Sequence, residues 1–351
     1  KYNVDRYFIR DIKCKLVNIA SIEKYDLEKM YKIYDEWPKI ALNSFESNQE
    51  TINFENVKHI VFSGMGGSGT IGDIFSSILS KSKIHVNVVK GYLLPTTVNS
   101  ETLVIIISVS GNTDESLSLA ESAFKKKCKI IGFSSGGKLL EFCKKNKIEH
   151  RIVTKYHSPR ASFTSYFYTM LKVLYPLLNI NKEDIIESIN ELEKNGQKIN
   201  SANLNKNNPS LNLAEWIKGI PIIYYPLGLQ AVAIRFKSVL QENAKSHVII
   251  EDVMEASHNG IMAWEKPSKI QPILIRGKND SEKTKQRLDI FLEYFKKNNI
   301  ECKDIFSVEG NIISKIVNLI YILDYAAIYL AIKTKTNPSP VNSITFIKSK
   351  L

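Results

Sequence analysis

Beyond residue 56, short apolar runs alternate with longer stretches whose apolar residues recur every three or four positions, and this alternation predicts the elements. Val57–Phe62, Ile84–Val89, Leu103–Val109, Lys129–Phe133 and His150–Val153 read as strands. Thr70–Ser80, Asp114–Lys126 and Leu139–Lys145 between them read as helices. The run from Leu103 to Ile107 is unbroken and ends in Ser110-Gly111-Asn112-Thr113, the pattern of a central parallel strand buried on both faces. A helical pattern covers Ser162 to about Glu193, and the Asn-, Ser- and Lys-rich segment Asn195–Asn212, with Pro209, reads as a linker. A second cycle follows, with strands at Pro221–Tyr225, Val248–Ile250, Ile273–Arg276 and Cys302–Val308. Its helices are Leu229–Lys245, Glu282–Lys297 and Ile312–Lys333. Asn337-Pro338-Ser339-Pro340 then leads into a C-terminal tail.

Strand and helix in alternation predict an α/β fold with doubly wound parallel sheets. The expected division is a helical segment at 1–55, a first α/β domain at 56–195 and a second at 212–351. In the first segment Ile22, Leu27, Met30, Ile33 and Trp37 keep roughly helical spacing ahead of Pro38. The two halves look like copies of one architecture, although no sequence repeat links them.

A length of 351 residues fits two domains of ordinary size. The net charge of +12 arises from 48 Lys+Arg against 36 Asp+Glu, spread along the chain with no long block of one sign. That argues against a dedicated nucleic-acid arm. A general positive field would draw anionic small molecules, and plain lysine bias explains the same count. The four cysteines, Cys14, Cys128, Cys143 and Cys302, lack metal-like spacing and read as free thiols of a reducing compartment. Ile312–Ile332 is interrupted by Lys315, Asn318 and Asp324, so a buried core helix is expected there and not a membrane span. No signal peptide is visible, Lys1 places the native start further upstream, and a cytoplasmic protein is expected.

Two loops carry candidate chemistry. Gly64, Gly66 and Gly69 follow a strand with the spacing of the dinucleotide fingerprint, yet the second strand ends Val88-Val89-Lys90-Gly91 without the carboxylate that would hold a ribose. A lysine there suits a 2′-phosphate. Glycines that merely permit a tight turn, or a different anionic ligand, remain open alternatives. The second loop, Ser108 to Thr113, sets three hydroxyls and a glycine at the start of a helix, where a phosphate is readily bound. In the rest of the chain Arg160 precedes a helix, and Arg235 and Glu242, seven apart, share a helix face that ends in Gln241-Glu242-Asn243. His258 stands in a loop-like stretch and is one of six histidines. Each of these has an ordinary structural explanation when taken alone. No HxxE or HExxH pattern accompanies them, so no protein-bound metal is indicated.

Taken in order, SGMGGSG (63–69), SVSGNTDES (108–116), SPR (158–160), QENAK (241–245) and EASHNG (255–260) are more specific. With them the chain resembles the archaeal and bacterial bifunctional phosphoglucose/phosphomannose isomerases, over roughly residues 30 to 351. That resemblance implies two sugar isomerase (SIS) domains, each a doubly wound αβα sandwich. It implies an aldose–ketose isomerase of glucose 6-phosphate, mannose 6-phosphate and fructose 6-phosphate that needs no cofactor. Ser108, Ser110 and Thr113 match the family's phosphate-binding hydroxyls, and Gly66, Gly67 and Ser68 its sugar-lining loop. Arg160 matches the arginine beside the enediolate and Glu242 the base. His258 matches the ring-opening histidine, which in the family comes from the neighbouring subunit of a dimer. Ser339 and Lys348 stand where the family has a Thr-Pro-Val segment and a lysine. Sugar phosphates and a second copy are thus the implied partners, with neither nucleic acid nor membrane. A non-catalytic SIS phosphosugar sensor would keep the Ser108–Thr113 loop without needing Glu242 or His258. It usually carries a DNA-binding domain, and residues 1–55 show no helix-turn-helix signature. An isomerase of the glucosamine-6-phosphate synthase type would want a glutaminase domain for which the chain has no room.

Overall fold

The computed structural model describes residues 17–350. Three short helices come first, α1 (Ile19–Tyr25), α2 (Met30–Asp35) and α3 (Trp37–Phe45). Pro38 does not end a helix. It occupies the first turn of α3, where a missing N–H breaks no hydrogen bond. Cys14 lies outside the described residues, and Cys128, Cys143 and Cys302 are free thiols.

The first sheet is built from β1 (His59–Ser63), α4 (Gly67–Ile78), β2 (His85–Val89), β3 (Leu103–Ser108), α5 (Asp114–Lys125), β4 (Lys129–Ser134), α6 (Gly137–Lys145) and β5 (Glu149–Ile152). Its order is β2-β1-β3-β4-β5, all parallel, with β3 at the centre. Every residue from Leu103 to Ile107 is fully buried because both faces are covered. The strand's period of two divides them. Leu103, Ile105 and Ile107 join the large core with Ile74 and Phe75 of α4, while Val104 and Ile106 pack with Leu119 of α5 and Leu139 of α6.

Next come α7 (Phe163–Leu174), α8 (Lys182–Ile199) and α9 (Pro209–Trp216). The expected single helix from Ser162 to about Glu193 is therefore two. Pro176 follows α7 and cannot continue a helix, and Asn179, at φ +52°, turns the chain into α8. The expected linker is ordered structure. Asn208 is fully buried; its Oδ1 accepts from Leu211 N (3.0 Å) to cap α9, and its Nδ2 donates to Ile199 O (3.1 Å).

The second sheet contains β6 (Ile220–Tyr225), α10 (Gln230–Asn243), β7 (Ile249–Asp252), α11 (Val253–Ala256), β8 (Ile270–Arg276), α12 (Glu282–Lys297) and β9 (Lys303–Phe306), in the parallel order β7-β6-β8-β9. The chain ends with α13 (Ile312–Lys333) and α14 (Asn342–Lys348). By length and hydropathy α13 is apolar enough to cross a membrane, but 89% of its most apolar window is buried inside the protein, against α8, α9 and α10. The inner faces of both sheets share one core, joined through α7, α8, α10 and α13.

Candidate active site

The loop after β3 forms the cup anticipated from its hydroxyls. Ser108 is 2% exposed; its Oγ donates to Thr113 Oγ1 (3.1 Å) and accepts from Gly111 N (3.1 Å). Asn112 N donates to Ser110 Oγ (3.2 Å), and Asn112 Oδ1 accepts from Lys138 N (3.0 Å), which ties the cup to the next loop. Gly111 has φ +69°, and a Cβ there would run into the Gly136 carbonyl oxygen, so only glycine fits. Thr113 caps α5 with extended backbone and no side-chain capping hydrogen bond. Among the described residues the first N–H groups of α5 therefore have no side-chain acceptor, the condition under which a helix end receives an anion.

The glycine loop after β1 lies alongside. Gly66 has φ +54° and is exposed, and Ser68 is buried in the first turn of α4. A Cβ on Gly67 would touch Pro159 O (3.7 Å) and Arg160 Cα (3.8 Å), so this helix start abuts the turn that carries the arginine. Lys90 at the end of β2 is paired with Asp73 of α4 at 2.5 Å, which occupies the cation that a 2′-phosphate would have needed.

Arg160 sits in the turn between β5 and α7 and is 3% exposed. A buried guanidinium is tolerated only when its donors are met. Here Nε donates to Asn243 Oδ1 (2.7 Å), Nη1 to Glu242 Oε2 (3.0 Å), and Nη2 to Pro338 O (2.7 Å) and Ser339 O (3.0 Å). Two separate parts of the chain, the end of α10 and the Pro338–Ser339 segment, thus converge on one side chain. The Glu242 side chain is 25% exposed, and its Oε1 takes no hydrogen bond among the described residues. Arg235, seven positions before Glu242 on the same face of α10, donates through Nη2 to the Arg160 carbonyl (2.7 Å) and to Asp324 of α13 (2.7 Å). Trp37 Nε1 holds the neighbouring Ala161 carbonyl at 2.9 Å. The arginine turn is therefore fixed from α3, α10 and the C-terminal segment together.

Ser339 is 8% exposed, gives its carbonyl to Arg160, and sets its Oγ 3.2 Å from His157 Nε2. Lys245 donates to Pro340 O (2.7 Å) and to Glu242 O, latching this segment to the end of α10; burial lowers its pKa, with Arg160 acting in the same direction. Asn243 and Lys245 were part of a flagged motif without assigned roles, whereas His157 gave no sequence signal. Two anticipated residues are not brought to this cluster. His258 is exposed after α11, and Lys348 is exposed on α14; neither makes a hydrogen bond or ion pair with the cluster. Among the described residues no group of three or more His, Cys, Asp or Glu is placed to hold a metal. A depression of about 610 Å³ lies elsewhere, near the amino ends of β4 and β5, lined by Phe124, Lys125, Lys127 and Lys129 among others, and no residue of the cluster borders it.

A parallel sheet with a hydroxyl cup at its carboxyl edge, together with a buried arginine after its last strand paired to a carboxylate on α10 beside a second parallel sheet, defines a two-domain sugar-isomerase fold of the phosphosugar class. Comparison with known proteins agrees. Residues 53–180 match the SIS domain, and residues 206–351 match the bacterial phospho-glucose isomerase C-terminal SIS domain. The chain is 31% identical over 334 residues to the bifunctional phosphoglucose/phosphomannose isomerase of Caldicellulosiruptor bescii, covering 92% of this chain and 96% of that one. The protein of the same name from Aquifex aeolicus is 31% identical, with 93% and 99% covered. Among solved structures, the tagatose-6-phosphate ketose/aldose isomerase of Escherichia coli superposes with a TM-score of 0.64 at 16% identity, covering 93% of this chain and 98% of that one. The chain belongs to the bifunctional phosphoglucose/phosphomannose isomerase family.

Proposed function

We propose that the protein interconverts glucose 6-phosphate and mannose 6-phosphate with fructose 6-phosphate through a cis-enediol. The observation that carries this reading is the 3.0 Å contact between Arg160 and Glu242, which sets a cation and a base side by side, with Gly67 of the glycine loop against the Arg160 turn. Ser108, Ser110, Thr113 and the start of α5 take the phosphate, and Gly66, Gly67 and Ser68 line the sugar. Binding energy from the remote phosphate then orients C1 and C2. Glu242 moves the proton between C2 and C1, and Arg160 stabilises the negative charge that develops on the enediolate oxygens. Either C2 epimer presents its proton to the same base after rotation about C2–C3, which accounts for both aldoses.

His258 opens the pyranose ring and comes from a second copy of the chain. Its exposure, apart from Glu242 and Arg160 of its own chain, supports this arrangement. Ser339, whose carbonyl meets Arg160, completes the sugar side. The domains are 56–195 and 212–351, with the described part of the N-terminal helical segment, 17–55, against them, and the free thiols fit a cytoplasmic location.

A coupled assay supplies each aldose phosphate and reads fructose 6-phosphate. Formation from both is the expected result, and none from either ends the proposal. Sedimentation with mixed Glu242→Gln and His258→Ala chains tests the shared site. Activity reappearing on mixing two inactive variants is expected, and none in a confirmed mixed dimer removes the cross-subunit role.

A further inference from the structure

Three remote stretches meet beside Arg160. His157 Nε2 lies 3.2 Å from Ser339 Oγ and 3.5 Å from Glu28 Oε2, and the imidazole side chain is 12% exposed. Its Nδ1 is buried with no partner. The turn that carries it is rigid: Tyr156 N donates to Ser162 Oγ (2.9 Å), and that hydroxyl donates to Ser158 O (2.8 Å). Ser339 in turn places its carbonyl on Arg160 Nη2 at 3.0 Å and its N–H on Asn337 Oδ1 at 3.0 Å. One residue thus links the arginine through its backbone and the histidine through its hydroxyl.

We propose that His157 is a positioning residue for the isomerisation: its neutral imidazole fixes the Ser339 hydroxyl and, with it, the Pro338–Ser339 carbonyls that hold Arg160. This rests on the isomerase reading. A neutral Nε2 accepts from the Ser339 hydroxyl or donates to it, whereas an imidazolium only donates, and the Glu28 carboxylate competes for that proton. The charged groups facing the ring are Glu28 and Asp26 from the turn after α1, and Arg160 from its own turn. Burial is the largest influence and holds the pKa of His157 below 6.5; Glu28 and Asp26 pull it upward and Arg160 downward. The imidazole is therefore neutral at neutral pH, and acid removes the acceptor.

The test combines kinetics with nitrogen-15 spectra of the imidazoles in the full chain. His157→Ala and Ser339→Ala should each lower kcat about tenfold, the worth of one positioned hydrogen bond. The double variant should be no worse than either single one, since both remove the same link. His157→Gln keeps a hydrogen-bonding end without a titrating group, so it should recover most of kcat and flatten the acid side of the pH profile. Effects that multiply in the double variant, or a Gln profile identical to wild type, overturn the proposal. Ser339→Ala should also shift the His157 Nε2 resonance, and an unmoved resonance overturns it too. That last reading needs no turnover, so it decides the His157–Ser339 link even if the wild type isomerises neither aldose phosphate and the isomerase reading falls.

Discussion

Replacing Glu242 by Gln removes one charge while keeping the shape of the side chain. In the structure the carboxylate has a single side-chain partner, Arg160 Nη1 at 3.0 Å, and is 25% exposed. Arg160 keeps its bonds to Asn243, Pro338 and Ser339 in the variant. Swapping one charge-assisted hydrogen bond for a neutral one at a partly solvated position costs about 1 kcal/mol of stability. Losing a general base costs about 10²–10⁴ in rate, or roughly 3–5 kcal/mol of activation energy. The two effects are far enough apart to be told from one another. The assay follows fructose 6-phosphate formation at saturating aldose phosphate, and in heavy water the exchange of the C2 proton, with urea unfolding measured on the same preparation. The expectation is a stable variant that binds fructose 6-phosphate, exchanges C2 slowly and turns over at least a hundredfold more slowly. Activity within tenfold of wild type, with the fold intact, would refute Glu242 as the base.

Three further changes probe other parts of the argument. Gly111→Ala forces a side chain into a φ of +69° against the Gly136 carbonyl, so it should destabilise the loop by about 1–3 kcal/mol and weaken fructose 6-phosphate binding; unchanged melting and affinity would show that the cup tolerates a different backbone. Ser108→Ala removes the hydroxyl that joins Thr113 and Gly111 N, and kcat/KM should fall about tenfold for both aldose phosphates alike; a loss confined to one of them would contradict a phosphate role. Burial lowers the pKa of His150 from 6.5 to about 4, so between those values the unfolded chain binds the extra proton and stability falls as pH falls, by up to about 3 kcal/mol. Urea unfolding at pH 7 and pH 5 should show that decline, and His150→Gln should reduce its slope; an equal slope in both proteins would mean that His150 is not the group responsible.

What the sequence disclosed follows from how local each cause is. The central strand was legible because burial on both faces leaves an apolar run with no polar interruption, and the run itself states that condition. The loops after β1 and β3 were legible because glycine and hydroxyl residues mark turns by their own chemistry. Pro176 and Pro38 were harder to weigh, since apolar spacing continues across both while proline ends one helix and opens another. Asparagine-rich composition at 195–212 is shared by loose connections and by helix caps, and only the burial of Asn208 separates them. His157 was out of reach, because its meaning depends on Ser339, 182 positions along the chain. The pairing of Arg160 with Glu242 spans 82 positions and no periodicity encodes it; family resemblance implied a role for each residue but not the contact between them.

The two groups at the centre of the site are coupled through a single donor, and that coupling bears on the proposed reaction. Arg160 has its Nε and Nη2 donors occupied by Asn243 Oδ1 and two carbonyls, which hold the guanidinium in place. Its Nη1 faces the group whose charge would change in the proposed reaction, the Glu242 carboxylate. When Glu242 takes the C2 proton it loses its negative charge, its pull on Nη1 weakens, and in the same step negative charge grows on the enediolate oxygens. The donor released by the base is thus available where the new anion forms, without reorganising any other bond. A fixed cation whose partner is neutralised by the chemical step binds the enediolate better than the sugar, which is the differential binding that catalysis requires. The same logic explains why the C-terminal segment is latched by both Lys245 and His157: a mobile Pro338–Ser339 would let Arg160 relax and lose that distinction.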